Sequence, residues 1–223
     1  MAVQSRKSSQ RRTFRLAVLA SGNGSNLQAL IDSVKKKKLK AEIEIVISNN
    51  SNAFALKRAR RNGIKALHLS RQQFKSQPEF DRKLVSTLKK QKIDLICLAG
   101  YMKKLSPSVV KAFRNKIINI HPAPLPRFGG KGMYGLDVHR AVIHSGVKNT
   151  AVSVHLVDYK FDHGPVIYSE MIPLKKSDTP VNLQKRVLKV EHRVYPYIAG
   201  LFADGKVAIK GRKVVIKNQD ASK

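Results

Sequence analysis

Arg15–Lys37 reads RLAVLASGNGSNLQALIDSVKKK. Arg15 to Ala20 is a short apolar run, the pattern of a strand buried on both faces of a parallel sheet. Leu27 to Lys37 places Leu27, Leu30, Ile31 and Val34 on one side of a helix. The intervening Ser21 to Asn26, SGNGSN, is a turn, so strand and helix form a βα unit. A helix N-terminus leaves backbone N–H groups unspent and carries the positive end of the helix dipole. Both favour an anion, and Gly22 and Gly24 would let one approach closely. The dinucleotide fingerprint needs a third glycine and the P-loop needs Gly-Lys-Ser/Thr, and neither is present. A simple phosphomonoester on Gly22, Asn23, Gly24, Ser25 and Asn26 remains open. A tight turn with Asn and Ser caps fits the same letters.

The alternation continues outward from this unit. Strands are predicted at Glu42–Ser48, Lys65–Leu69, Ile93–Ala99 and Lys116–Ile120, separated by helices at Ala53–Asn62, Pro78–Gln91 and Ser108–Arg114. A helix at Asp137–Ser145 follows. Ala151–Asp158, AVSVHLVD, reads as a half-exposed strand with Ala151, Ser153, His155 and Val157 on one face. A strand Val166–Ile172, a helix Val181–Ala199 and a hairpin over 207–217 complete the pattern. The expected fold is α/β: a Rossmann-like, mostly parallel sheet with helices on both faces. Residues 1–13, rich in Arg, Lys and Ser, read as a disordered basic tail, and 14–223 as a single domain.

Lys116–Pro126, KIINIHPAPLP, is the oddest stretch. Asn119 and His121 interrupt a β-branched run at positions i and i+2, so on a strand they share a face. Pro122, Pro124 and Pro126 end that strand and predict a stiff, extended continuation. An amide and an imidazole held side by side form a donor pair that can meet a developing oxyanion. The segment leaving the fourth strand, Met102, Lys103, Lys104 and Leu105, lies where ligands collect in parallel sheets. The turn DYKFDHG carries Asp158, Asp162 and His163, and an aspartate there can orient a strand-end histidine. Glu191 in the last helix would be unusual on a buried face.

Composition limits the function. With 44 Lys+Arg against 14 Asp+Glu the formal net charge is +30, which attracts anionic ligands and nonspecific nucleic acid. The charge is spread along the chain without a nucleic-acid-binding motif, so no specific nucleic-acid partner is expected. Cys97, the only cysteine, precludes an intrachain disulfide and sits in an apolar run as a small core residue. No apolar stretch approaches the roughly 20 residues of a membrane helix, so a soluble, cytoplasmic protein without membrane association is expected.

Taken together, SGNGSNLQALID, LAGYMKKLSP, NIHPAPLP and SVHLVDYKFDHGPVI resemble the formyltransferases that use 10-formyltetrahydrofolate, in the order those motifs take in that family. The resemblance runs from about Leu16 to Gly205. It implies that Asn119, His121 and Asp162 form the catalytic set, with His121 protonated and His155 behind it. It implies a phosphate-binding half, 14–115, and a catalytic and folate-binding half, 116–223. Gly22–Asn26 would hold the phosphate of glycinamide ribonucleotide, and Glu191 would place its amine. Met102–Leu105, Asn119, Asp158 and Asp162 would line the folate cleft. No metal is implied, and either a monomer or a homodimer is compatible.

Three positions depart from the family pattern. Lys103 stands where an arginine is common, Gln77 where some members carry another folate-binding arginine, and Phe128–Gly135 is longer than usual. Methionyl-tRNA formyltransferases carry a further C-terminal domain, for which 206–223 leaves no room, and formyltetrahydrofolate hydrolases usually an N-terminal one, which 1–13 cannot supply. A nonenzymatic nucleic-acid-binding protein would account for the charge but not for NIHP with Asp162.

Overall fold

The structure, a computed structural model, describes residues 12–217. Residues 1–11 of the expected basic tail lie outside it, whereas Arg12 is anchored: its guanidinium donates to Asp94 Oδ1 at 2.5 Å. The strands are β1 (Phe14–Leu19), β2 (Ala41–Ser48), β3 (Lys65–His68), β4 (Leu95–Leu98), β5 (Ile117–His121), β6 (Asn149–Leu156) and β7 (Val166–Pro173). They form one sheet in the order β3-β2-β1-β4-β5-β6-β7. The first five are parallel, and β6 and β7 are added antiparallel. A separate hairpin, β8 (Val207–Lys210) and β9 (Lys213–Ile216), turns at Gly211 as expected.

Period-two alternation divides the core. Leu16, Val18 and Ala20 pack with Leu95, Cys97, Ile118 and Ile120 on one side, and Ala17 and Leu19 with Ile96, Leu98 and Ile117 on the other. The first side is covered by α1 (Ser25–Lys35), α2 (Phe54–Arg61), α5 (Gly135–His144) and α6 (Pro180–Ala203). The second is covered by α3 (Gln77–Lys90) and α4 (Pro107–Ala112). Cys97 is fully buried, and desolvation pushes its thiol up to about 12. No helix among the described residues is long and apolar enough to cross a membrane.

Three local expectations fail for identifiable reasons. The β6 strand is buried along its length after Asn149 rather than half exposed, because it is interior to the sheet and chain covers its polar face. Ser153 there donates its hydroxyl to Ala123 O at 2.8 Å. The proline segment turns instead of extending, since Phe128 N–H reaches Pro124 O and Gly129 N–H reaches Pro126 O. Finally, α1 starts at Ser25, capped by Gly24 in the left-handed conformation, with no Asn or Ser side chain bonded to its end.

Candidate active site

A cavity of about 760 Å³ opens at the carboxyl ends of β1, β4 and β5. Gly22, Asn23, Gly24, Ser25, Asn26, Met102, Lys103, Lys104, Leu105, Asn119, His121, Asp158, Asp162 and Glu191 all border it. Residues from both ends of the chain thus meet in one place. His155 lies behind the wall, and Gln77 is spent elsewhere, donating to Asp81 Oδ1 at 2.7 Å.

Backbone geometry builds the Gly22–Asn26 turn. Gly24 has φ 74°, and a Cβ there would lie 2.8 Å from Ala55 Cβ, so this glycine serves the turn and the α1–α2 packing rather than ligand approach. At Gly22 a Cβ would meet nothing within 4 Å, which leaves that peptide open to the cavity. Asn23 and Asn26 turn their side chains away from the helix end. Arg58 donates to Asn23 O at 2.9 Å and to Asn23 Oδ1 at 2.8 Å, while its guanidinium stacks 4.8 Å over Phe54. Asn26 Nδ2 donates to Glu191 Oε2 at 2.8 Å, leaving Asn26 Oδ1 buried without a partner. Burial raises the Glu191 carboxyl to about 7, although the Asn26 bond opposes the shift.

The catalytic candidates converge on Asp162. His121 Nε2 lies 2.7 Å from Phe128 O and must donate to it, which turns Nδ1 toward Asp162 Oδ2 at 3.7 Å. Asn119 Nδ2 is 3.1 Å from His155 Nε2 and 3.3 Å from Asp162 Oδ1. His155 Nδ1 donates to Leu156 O at 2.8 Å, so its Nε2 accepts from Asn119, and Asp162 Oδ1 lies 3.5 Å from that nitrogen. Gly130 N–H donates to Asp162 Oδ2 at 3.0 Å. Asp162 itself has φ 50°, a sparsely populated conformation for a residue other than glycine. Burial would raise its pKa, but contact with His155, the His121 charge and the Gly130 N–H together hold it below the ordinary carboxylate value.

Burial opposes the expected protonation of His121. Burial pulls its pKa below the ordinary value and His155 adds to that pull; Asp162 and the Phe128 carbonyl oppose without reversing it. The donor pair inferred from the sequence is also committed, since both Asn119 N–H groups already point at His155 and Asp162.

Several bordering residues escaped the sequence. His139 of α5 is buried with Nδ1 unpartnered, and burial, then the His121 charge, lowers its pKa to about 4. Arg58, outside the cavity lining, holds Asn23 from a basic run whose pattern gives no sign of that contact. Lys131, Tyr134, Lys160 and Phe161 lie on loops whose course no periodicity predicts.

Fold and cavity define an α/β enzyme with a glycine turn beside an Asn-His-Asp cluster. The chain belongs to the formyl transferase family, which it matches over residues 14–198. It is 38% identical over 192 residues to the phosphoribosylglycinamide formyltransferase of Escherichia coli, covering 86% of this chain and 88% of that one. It is 40% identical over 200 residues to a trifunctional purine biosynthetic protein adenosine-3 of Gallus gallus, covering 90% of this chain but only 19% of that protein. The crystal structure of glycinamide ribonucleotide transformylase 1 from Symbiobacterium toebii superposes with a TM-score of 0.87 at 39% identity, over 94% of this chain and 96% of that one.

Proposed function

We propose that the protein transfers the formyl group of 10-formyltetrahydrofolate to the amine of glycinamide ribonucleotide, giving formylglycinamide ribonucleotide in purine biosynthesis. The observation that carries this reading is the convergence of the Gly22–Asn26 turn, Glu191 and the Asn119–His121–Asp162 cluster on one cavity. A phosphate on the turn anchors the nucleotide, and Glu191 meets its amine. Met102–Leu105 and the Asp158–Asp162 turn hold the folate.

In the first step the amine nitrogen bonds to the formyl carbon, and the carbonyl π pair moves to oxygen. Asn119 swings one N–H from Asp162 to that oxyanion. Neutral His121 takes the ammonium proton at Nδ1, directly or through water, and the imidazolium so formed is stabilised by Asp162. Collapse breaks the bond from carbon to N10 of the folate, and the proton is returned to N10. His121 is thus a base that becomes the local cation, and His155 holds Asn119 and Asp162 in register.

The domain proposed is 14–223 with phosphate-binding and catalytic halves meeting at residue 115, acting in the cytoplasm. A steady-state assay with glycinamide ribonucleotide and formylfolate tests the reading. Formylglycinamide ribonucleotide is the expected product, and formylation of methionyl-tRNA alone would overturn it.

A further inference from the structure

We infer that Arg58 is a positioning residue for the nucleotide phosphate: from outside the cavity it turns the Asn23 peptide so that the N–H of Gly24 faces the ligand. This rests on the reading of Gly22–Asn26 as the phosphate turn. Arg58 lies on α2 and does not border the cavity, whereas Gly22, Asn23 and Gly24 do. Its Nε donates to Asn23 O at 2.9 Å, Nη2 to Asn23 Oδ1 at 2.8 Å and Nη1 to Gln28 Oε1 at 3.1 Å. The Phe54 ring, 4.8 Å below, holds the guanidinium flat while it makes these bonds. One turn earlier on the same helix, Ala55 N–H donates to Gly22 O at 3.1 Å.

Across a planar trans peptide the carbonyl and the following N–H point in opposite directions. With Gly22 O and Asn23 O both drawn toward α2, the N–H groups of Asn23 and Gly24 are directed away from that helix, to the side on which the cavity lies. Two successive N–H groups aimed the same way make a concavity for an anion. Arg58 also leaves its charge near the turn, because all three of its acceptors are neutral amide oxygens. Charge and geometry are separable. A lysine would keep the charge but has no rigid fork with which to hold Asn23 at two oxygens and Gln28 at a third.

Steady-state kinetics of the intact chain and its Arg58→Met and Arg58→Lys variants, with glycinamide ribonucleotide and with its dephosphorylated nucleoside, tests this. Both variants should raise KM for the nucleotide about tenfold and leave kcat unchanged, because only phosphate binding is lost. KM for the nucleoside should not move, which makes it the internal control for folding. Three results would overturn the inference while leaving the formyl-transfer reading intact. An unchanged nucleotide KM would remove Arg58 from binding, a loss shared equally by the nucleoside would make it a general support of the fold, and a parental KM in Arg58→Lys would make it a charge and not a fork. A parent that takes nucleotide and nucleoside with equal KM would overturn the phosphate turn and the inference with it. A parent that formylates neither would overturn the formyl-transfer reading as well.

Discussion

Phe128 O accepts a hydrogen bond from His121 Nε2 at 2.7 Å, and this contact decides which ring nitrogen faces the chemistry. With Nε2–H occupied, only Nδ1 can exchange a proton with substrate, and Asp162 waits 3.7 Å away. Asp162→Asn preserves an oxygen for the Gly130 N–H but removes the charge that stabilises an imidazolium. We expect kcat to fall by roughly 10²- to 10⁴-fold with an unchanged circular dichroism spectrum. An unaltered rate would remove Asp162 from the mechanism.

Glu191 should leave a pH signature. Its carboxyl, raised to about 7 chiefly by burial, must be ionised to pair with an amine, so kcat/KM should decline as pH falls through that value. In Glu191→Gln this limb should vanish and KM for the nucleotide rise roughly 10- to 100-fold. Stability should move the other way. A carboxyl that binds its proton more tightly when folded loses stability as pH rises from its ordinary value of 4.5 to about 7, and carries the full penalty above that. The gap corresponds to at most about 3 kcal/mol, so Glu191→Gln should melt higher than the parent at pH 8 and no higher at pH 4. Melting curves at the two values check the sign.

Gly22→Ala probes the anion turn without disturbing packing, because the added methyl meets no atom within 4 Å. We expect an unchanged melting temperature and a raised KM for the phosphate-bearing substrate. Affinity for a folate analogue should not change. A normal KM would mean that the phosphate does not approach this peptide.

Gly164→Ala reaches Asp162 indirectly. A Cβ at Gly164 would fall 1.8 Å from Leu156 O, so the turn carrying Asp162 must shift. Displacement of a catalytic group by about 1 Å is worth about 100-fold in rate, and a loss of that order in kcat is expected. A variant with parental kcat would show that the turn tolerates the shift.

The framework was legible in the residues because strands and helices announce themselves by period. Leu16, Val18 and Ala20 and their neighbours Ala17 and Leu19 fall on the two faces that the apolar run implies. Gly22–Asn26, Asn119 and His121 were legible as unusual chemistry at element ends. What could not be read was the direction of side chains in loops. Asn23 belongs to Arg58 and Asn26 to Glu191, and both pairings depend on contacts between distant segments. The state of His121 is not legible in the residues for a related reason. A nearby aspartate favours its charge, but the opposing desolvation depends on how deeply the strand end is buried.

The bond between Asn26 and Glu191 spans 165 positions of sequence. As the chain leaves the ribosome, the anion turn, the Asn-His pair and the aspartate turn all emerge before the helix that contributes Glu191. The proposed site is complete only once the 24-residue helix α6 has docked.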